Sequence, residues 1–136
     1  GNRPTVEVTG GDVGTPVTLT GPEGTGTATV TRARWTSEGE VAPEPGTVYL
    51  VLDVTIEGVT GKLTTGGVFT AVIAGDGRRH SVAFGPVLDP LLTSKVLQPG
   101  DTNTGQLGYQ LVSGPARVEI QSPDGVVLGS VAIPGP

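Results

Sequence analysis

The sequence contains no cysteine and no methionine, and only one histidine, His80, among its 136 residues. Without cysteine the chain cannot form disulfides, thiolate zinc sites, iron–sulfur clusters or a thiol nucleophile. One histidine cannot build a multi-histidine metal centre, so we expect no cofactor and no metal centre. Charged residues make up only 15% of the chain and give a net charge of −5. We therefore also expect no nucleic-acid partner, because no basic surface is available.

The sequence also lacks any apolar run of the about 18 residues that a membrane-spanning helix needs. No secretory signal pattern precedes Thr5, and the first residue is not methionine. We interpret the sequence as a processed or trimmed chain from which a targeting segment was removed. Any membrane attachment would then depend on a missing N-terminal anchor.

The residues that are abundant favour strands and turns. The chain has 20 Val, 19 Thr, 23 Gly and 12 Pro, and β-branched residues fit pleated strands while Gly and Pro mark turns. The length suits one domain. We assign residues 1–26 to N-terminal strands and Gly-rich loops of the same domain as residues 27–136, which form its β-sandwich.

The strongest strand pattern lies in residues 47–57, where apolar side chains alternate. Every second residue of a strand points to the same face, so we expect one face of this strand to be core. The residues on that face are Val48, Leu50, Leu52, Val54 and Ile56. In a second strand, residues 27–35, Val30 and Ala33 are three apart, which predicts a bulge.

Two Asp-Gly turns, Asp76-Gly77 and Asp124-Gly125, lie between apolar runs and predict β-hairpins. We expect the inward side chains of the first hairpin to be Phe69 and Ile73, then His80 or Val82 with Phe84.

The fold predicted by these patterns is all-β. Seven to nine short strands, with turn signals about every ten residues, are typical of a two-sheet antiparallel β-sandwich, and a closed barrel is the alternative. Residues 86–94 have helical leucine spacing, but Pro86 and Pro90 limit that segment to at most a short helical turn.

Four segments carry a resemblance to a known family: Arg34-Trp35, residues 46–57, residues 69–79 and residues 97–102 with Gly105. Together they resemble the telokin-like, immunoglobulin-like domain of bacterial, especially actinobacterial, secreted antigens and envelope lipoproteins. The resemblance covers about residues 27–133 and rests on no catalytic signature. It implies an immunoglobulin-like β-sandwich of unknown function outside the cytoplasm, and it supplies no active-site residues.

The residues that could carry chemistry have simpler explanations. His80 and Ser81 are adjacent on a predicted strand and point to opposite faces, so they cannot act together as base and nucleophile. Asp53 and Glu57 share a strand face, but their Cα atoms lie about 13 Å apart, farther than either glycosidase mechanism requires. Aspartates in Gly-rich loops leave weak calcium binding open, although turn geometry explains them. We expect no catalytic residues and no enzymatic activity.

The best candidate for partner binding is the leucine group Leu88, Leu91 and Leu92. These side chains either cap the open end of the sandwich, which is the interpretation we favour, or form an exposed apolar patch beside Val87 and Val96.

We predict a non-enzymatic, extracytoplasmic module, secreted or held as a membrane-anchored lipoprotein. It would bind another cell-envelope protein, or act as a spacer, through strand edges or the loops at residues 37–46 and 85–95. The alternative function is a carrier of a small apolar ligand or lipid between the sheets. That ligand would lie near Trp35, Phe69, Phe84 and Tyr109.

Overall fold

A computed structural model describes residues 5–136 of the chain. Strands account for nearly all of its regular structure, and a single 3₁₀ turn at Gly67–Phe69 is the one helical element within those residues. The strands are β1 (Val6–Val8), β2 (Val17–Thr20), β3 (Gly24–Thr36), β4 (Val48–Gly61), β5 (Leu63–Thr65), β6 (Thr70–Ile73), β7 (Arg79–His80), β8 (Lys95–Leu97), β9 (Thr102–Leu111), β10 (Ala116–Gln121) and β11 (Val127–Ile133).

Two antiparallel sheets form the sandwich. In sheet I the strand order is β1-β3-β4-β9, and β2 also pairs with β3; in sheet II the order is β11-β10-β6-β7. A small third sheet joins β5 to β8, which the sequence analysis did not predict. The predicted all-β, immunoglobulin-like antiparallel sandwich is confirmed, although the described residues form eleven strands rather than the predicted seven to nine.

The long strand β4 supplies the centre of the core, as its alternation predicts. Leu50, Leu52, Val54 and Ile56 are at most 3% exposed, and Val48 is partly buried. Across the interior, sheet II contributes a matching set of buried apolar side chains from three strands: Val72, Val118, Ile120, Val131 and Ile133. Sheet-on-sheet packing of such alternating residues is what holds a β-sandwich together.

Strand β3 contains the predicted bulge. Its pairing with β4 shifts register between Val30 and Arg32. The same strand begins at Gly24, three residues before the predicted start at residue 27, and its N-terminal half pairs with β2. Strand β1 pairs with the other half. The segment predicted as the N-terminal part of the domain, residues 1–26, thus contributes β1 and β2 to sheet I, while residues 1–4 of that range lie outside the described residues.

The first hairpin forms at Asp76-Gly77, but its inward residues agree with the prediction only in part: Val82 packs against the core as predicted. Val72 pairs with Val118 and is fully buried, so the core face of β6 contains Val72 rather than Ile73. Phe84 is 94% exposed. Strand β7 ends at His80, and strand alternation therefore does not extend to Phe84.

Residues 86–94 form no helix; they run irregularly along the edge of sheet I and meet β9 in a bridge between Leu91 and Gln106. Within residues 5–136 no helix is long and apolar enough to cross a membrane.

Candidate functional site

The edge of strand β9 is covered by residues 83–92, which we call the edge segment. The Ala83 N–H donates to the Gly108 carbonyl at 2.8 Å. Farther along the strand, the Gln106 N–H donates to the Pro90 carbonyl at 2.7 Å, and the Leu92 N–H donates to the Gln106 carbonyl at 3.0 Å. These bonds occupy backbone groups that would otherwise leave an open sheet edge.

Two glycines of β9 permit this close approach. A Cβ atom on Gly105 would lie 2.6 Å from Cα of Leu92, and a Cβ atom on Gly108 would collide with the ring of Pro86. Glycine in a strand often marks such a site where another backbone comes near. The edge segment therefore depends on the absence of side chains at these two positions.

The edge segment and the loop at residues 37–46 also cover the outer face of β4. Tyr49 and Val51 point away from the core, yet they are 2% and 1% exposed. The Tyr49 hydroxyl donates to the Val41 carbonyl at 2.8 Å, and the Glu40 N–H donates to the Gly85 carbonyl at 3.0 Å. Tyr49 and Val51 lie on the face of β4 opposite the predicted core residues, and the apolar pair that they form there is the signal that could have revealed this cover.

Between the edge segment and the 3₁₀ turn lies an apolar depression of about 460 Å³, which we call the edge groove. It lies on the side of the sandwich where β9 contacts β7, the edge strand of sheet II. Most of its apolar side chains come from the 3₁₀ turn, the segment after β7 and the edge segment: Val68, Val82, Phe84, Leu88, Leu91 and Leu92. Phe84, Val68 and Leu91 are 94%, 72% and 55% exposed, which is unusual for large apolar side chains that adjoin one another.

All three leucines that sequence analysis singled out line the edge groove. Leu92 is buried and belongs to the core, Leu88 is partly buried, and Leu91 is largely exposed. The group therefore combines the two interpretations: Leu92 closes the sandwich edge, whereas Leu91 contributes to an accessible apolar surface.

The four aromatic residues proposed for a cavity between the sheets are not brought together, and one of them, Phe69, lies partly buried in the 3₁₀ turn. Trp35 is buried and donates from Nε1 to the Pro134 carbonyl at 2.9 Å. Tyr109 is fully buried, with its hydroxyl 2.6 Å from that of Thr70. Phe84, by contrast, lies on the rim of the edge groove. Trp35 and Tyr109 lie in the core and do not line the edge groove.

Burial governs the titration of Tyr109. Removal from water penalises the charged phenolate and raises the pKa of Tyr109 well above its ordinary value of 10.0, while the hydrogen bond with Thr70 lowers it by a smaller amount. The phenol is therefore a neutral hydrogen-bonding group of the core.

The candidate catalytic side chains are not assembled into a site. His80 is partly buried in β7, where it pairs with Val72, and Ser81 is exposed. Asp53 accepts a 2.7 Å hydrogen bond from Nε2 of Gln106, and Glu57 is exposed at the far end of the same strand face.

The loop aspartates form hydrogen bonds within or beside their own turns. Asp76 accepts from the Arg78 N–H at 2.9 Å, and Asp101 accepts from the Gln98 N–H at 3.0 Å. The Ser122 hydroxyl donates to Asp124 at 2.7 Å and holds the pKa of that carboxyl below its usual value. No group of three or more metal-ligating side chains occurs within the part of the chain that the structure describes.

No protein-family model matches the chain, and a search of curated proteins found no match. Several solved structures share its fold. The candidate lipoprotein ycdA from Bacillus subtilis superimposes with a TM-score of 0.71 at 11% identity, and the match covers 89% of this chain. This chain spans only 38% of the length of ycdA.

The secreted protein MPT63 from Mycobacterium tuberculosis has a TM-score of 0.62 at 18% identity, and the match covers 90% of this chain and 95% of MPT63. A functionally unknown protein from Listeria monocytogenes has the same TM-score at 8% identity, with 98% of this chain and 88% of that protein covered. At such low identities the similarity establishes the β-sandwich fold and nothing about activity.

Proposed function

We propose that this chain is a non-enzymatic, extracytoplasmic immunoglobulin-like module that binds another protein of the cell envelope through the edge groove. The observation that carries the proposal is the exposure of Phe84, Val68 and Leu91 around a single concave surface. Adjoining exposed apolar side chains are a common property of interaction sites, because a partner that covers them removes apolar surface from water, which lowers the free energy.

The described location of two structural neighbours supports an extracytoplasmic location for this chain. One is a candidate lipoprotein and another is a secreted protein. The resemblance to telokin-like domains of actinobacterial envelope proteins points to the same compartment. A chain without cysteine is compatible with that compartment, since its fold needs no disulfide.

A non-enzymatic role is supported by the arrangement of polar side chains. A hydrolase needs a nucleophile, a base and oxyanion donors that converge on a cleft. Here His80 and Ser81 are successive residues at the end of a short strand, and Asp53 is hydrogen-bonded to Gln106. The apolar residues of the edge groove offer no proton-transfer group.

The test is an affinity capture from native envelope extract on the immobilised chain, with matched variants. We expect a stoichiometric partner that resists high salt, because an apolar contact is not screened. Phe84→Asp and Leu91→Asp should lose this partner, whereas Val126→Asp should retain it, because Val126 is 50% exposed and lies outside the groove.

Identical capture by wild type and by both groove variants, with all proteins folded by circular dichroism, would overturn the proposal. So would an absence of any stoichiometric partner on the wild-type chain.

A further inference from the structure

The edge groove has no charged side chain. Among the described residues that line it, none is Asp, Glu, Lys, Arg or His, while the whole chain carries a net charge of −5. A charged group placed in the groove would lose hydration without gaining an ion pair. An anion would in addition be repelled by the net negative charge of the chain. The groove therefore favours a neutral occupant.

One backbone donor beside the groove lacks an acceptor. The N–H and C=O of a strand residue point to the same side, and the Gly108 carbonyl accepts a hydrogen bond from Ala83. The Gly108 N–H therefore points toward the edge segment and away from β4. Within residues 5–136 no backbone carbonyl or side chain on that side accepts it, although Gly108 is buried. Buried N–H groups without a partner are uncommon, and a ligand carbonyl would satisfy this one.

Hydroxyl groups supply the remaining polarity. Thr93 and Ser94 line the edge groove and are exposed to solvent, and a hydroxyl can both donate and accept hydrogen bonds. The groove thus combines apolar walls, one backbone donor and two hydroxyls. This is the usual composition of a small-molecule pocket, in which a few polar groups orient a largely apolar ligand.

We propose that the edge groove binds the acyl chain of a neutral amphiphile, with an ester carbonyl of the ligand accepting the Gly108 N–H. The groove volume of about 460 Å³ lies within the range of about 300–1,000 Å³ that is common for ligand pockets. Val68, Phe84 and Leu91 shield the acyl chain from water. The inference rests on the proposed role of the groove as a binding site, but it requires no protein partner.

The test is an NMR titration of the isotopically labelled chain with monolaurin, a neutral glycerol ester, below its micelle concentration. Laurate, which has the same acyl chain and a negative charge, is the matched ligand. We expect a saturable shift of the Gly108 amide resonance, while the Trp35 indole resonance stays unchanged because Trp35 is bonded to Pro134. Laurate should bind at least about tenfold more weakly, a difference of about 1.4 kcal/mol.

Substitutions inside and outside the edge groove test where monolaurin binds. Leu91→Asp and Val68→Asp should each weaken monolaurin binding by at least about tenfold, and Val126→Asp should leave it unchanged. The inference is overturned if Gly108 shows no saturable shift in the folded wild-type chain, if laurate binds as tightly as monolaurin, or if both groove variants bind normally. Loss of the protein partner in Leu91→Asp, together with no monolaurin binding by wild type, would overturn this inference and leave the proposed function intact.

Discussion

Gln106 donates a 2.7 Å hydrogen bond from Nε2 to Oδ1 of Asp53, its cross-strand neighbour on the outer face of sheet I. The same side-chain amide accepts the Asp89 N–H through Oε1 at 2.9 Å. One side chain therefore connects β4, β9 and the edge segment. The position of the edge groove depends on this connection, because the edge segment forms one of its walls.

Removal of the Gln106 amide should loosen the edge segment. We expect Gln106→Ala to lower the free energy of unfolding by about 1–2 kcal/mol, because it removes one partly buried and one exposed hydrogen bond. Gln106→Glu should cost more, because it places a second carboxylate beside Asp53. Urea unfolding measures both effects, and hydrogen exchange should show faster exchange of the Ala83 and Leu92 amides.

The control for this prediction is Gln98→Ala, since Gln98 is exposed. It should change the unfolding free energy by less than about 0.5 kcal/mol. Unchanged amide exchange of Ala83 and Leu92 in Gln106→Ala would show that the amide does not hold the edge segment.

A side chain at Gly105 should disrupt the same region by steric overlap. We expect Gly105→Ala to destabilise the protein by about 1–3 kcal/mol, because its Cβ atom would lie 2.6 Å from Cα of Leu92. Gly75→Ala is the matched control, since the nearest atom to a Cβ atom there is the Pro115 carbonyl oxygen at an ordinary 3.5 Å. Equal melting temperatures for the two variants would contradict this explanation.

Tyr109 should make stability depend on alkaline pH. The buried phenol stays protonated in the folded chain, whereas the unfolded chain ionises it above its ordinary pKa of about 10. The unfolded state then binds fewer protons, so the free energy of unfolding falls as pH rises, by about 1.4 kcal/mol per pH unit for this group. The contribution is complete below about pH 10 and is lost progressively above it.

Tyr109→Phe isolates that contribution. At neutral pH it should cost about 1 kcal/mol, because one hydrogen bond is lost while the Thr70 hydroxyl still donates to the Gly67 carbonyl. Urea unfolding at about pH 8 and about pH 11 should show the difference between variant and wild type shrinking or reversing. A difference that stays constant would mean that Tyr109 ionises equally in both states.

Glu119 should contribute more to stability than an exposed ion-pair partner. Its carboxylate is 10% exposed and contacts Arg79 at 2.9 Å and Arg117 at 3.3 Å. We expect Glu119→Gln to cost about 1–2 kcal/mol, less than for a fully buried pair because both arginines are half exposed. Glu7→Gln, in an exposed pair with Arg32, should cost less than about 1 kcal/mol. Equal losses of unfolding free energy for Glu119→Gln and Glu7→Gln, measured by urea unfolding, would contradict this prediction.

Much of the fold follows from local patterns. Strict alternation in β4 identified the inward side chains of the central strand, and the irregular spacing of Val30 and Ala33 indicated the bulge in β3. Asp-Gly located both hairpin turns, because the glycine of each pair, Gly77 or Gly125, adopts the positive φ angle that the turn requires. The small β5–β8 sheet was missed because three-residue strands are too short to show alternation.

The candidate site was predicted only in part. Leu88, Leu91 and Leu92 were grouped correctly because they are close in sequence, but Phe84 was assigned to the core and lies on the groove rim. That error arose because alternation gives the two faces of a strand and not the residue at which the strand ends. Val68 joins the groove through a separate 3₁₀ turn, which no pattern connects with the leucines.

The sequence by itself determined the all-β class, the main strands and the hairpin turns of this protein, because these depend on neighbouring residues and on backbone preferences. Only the tertiary structure decided that the outer face of β4 is covered, that Gly105 and Gly108 admit the edge segment, and that Phe84 is left exposed. Each of these depends on contacts between residues far apart in the chain. Such contacts form only after the two sheets have packed together and the edge segment has paired with β9, so no local pattern of residues specifies them.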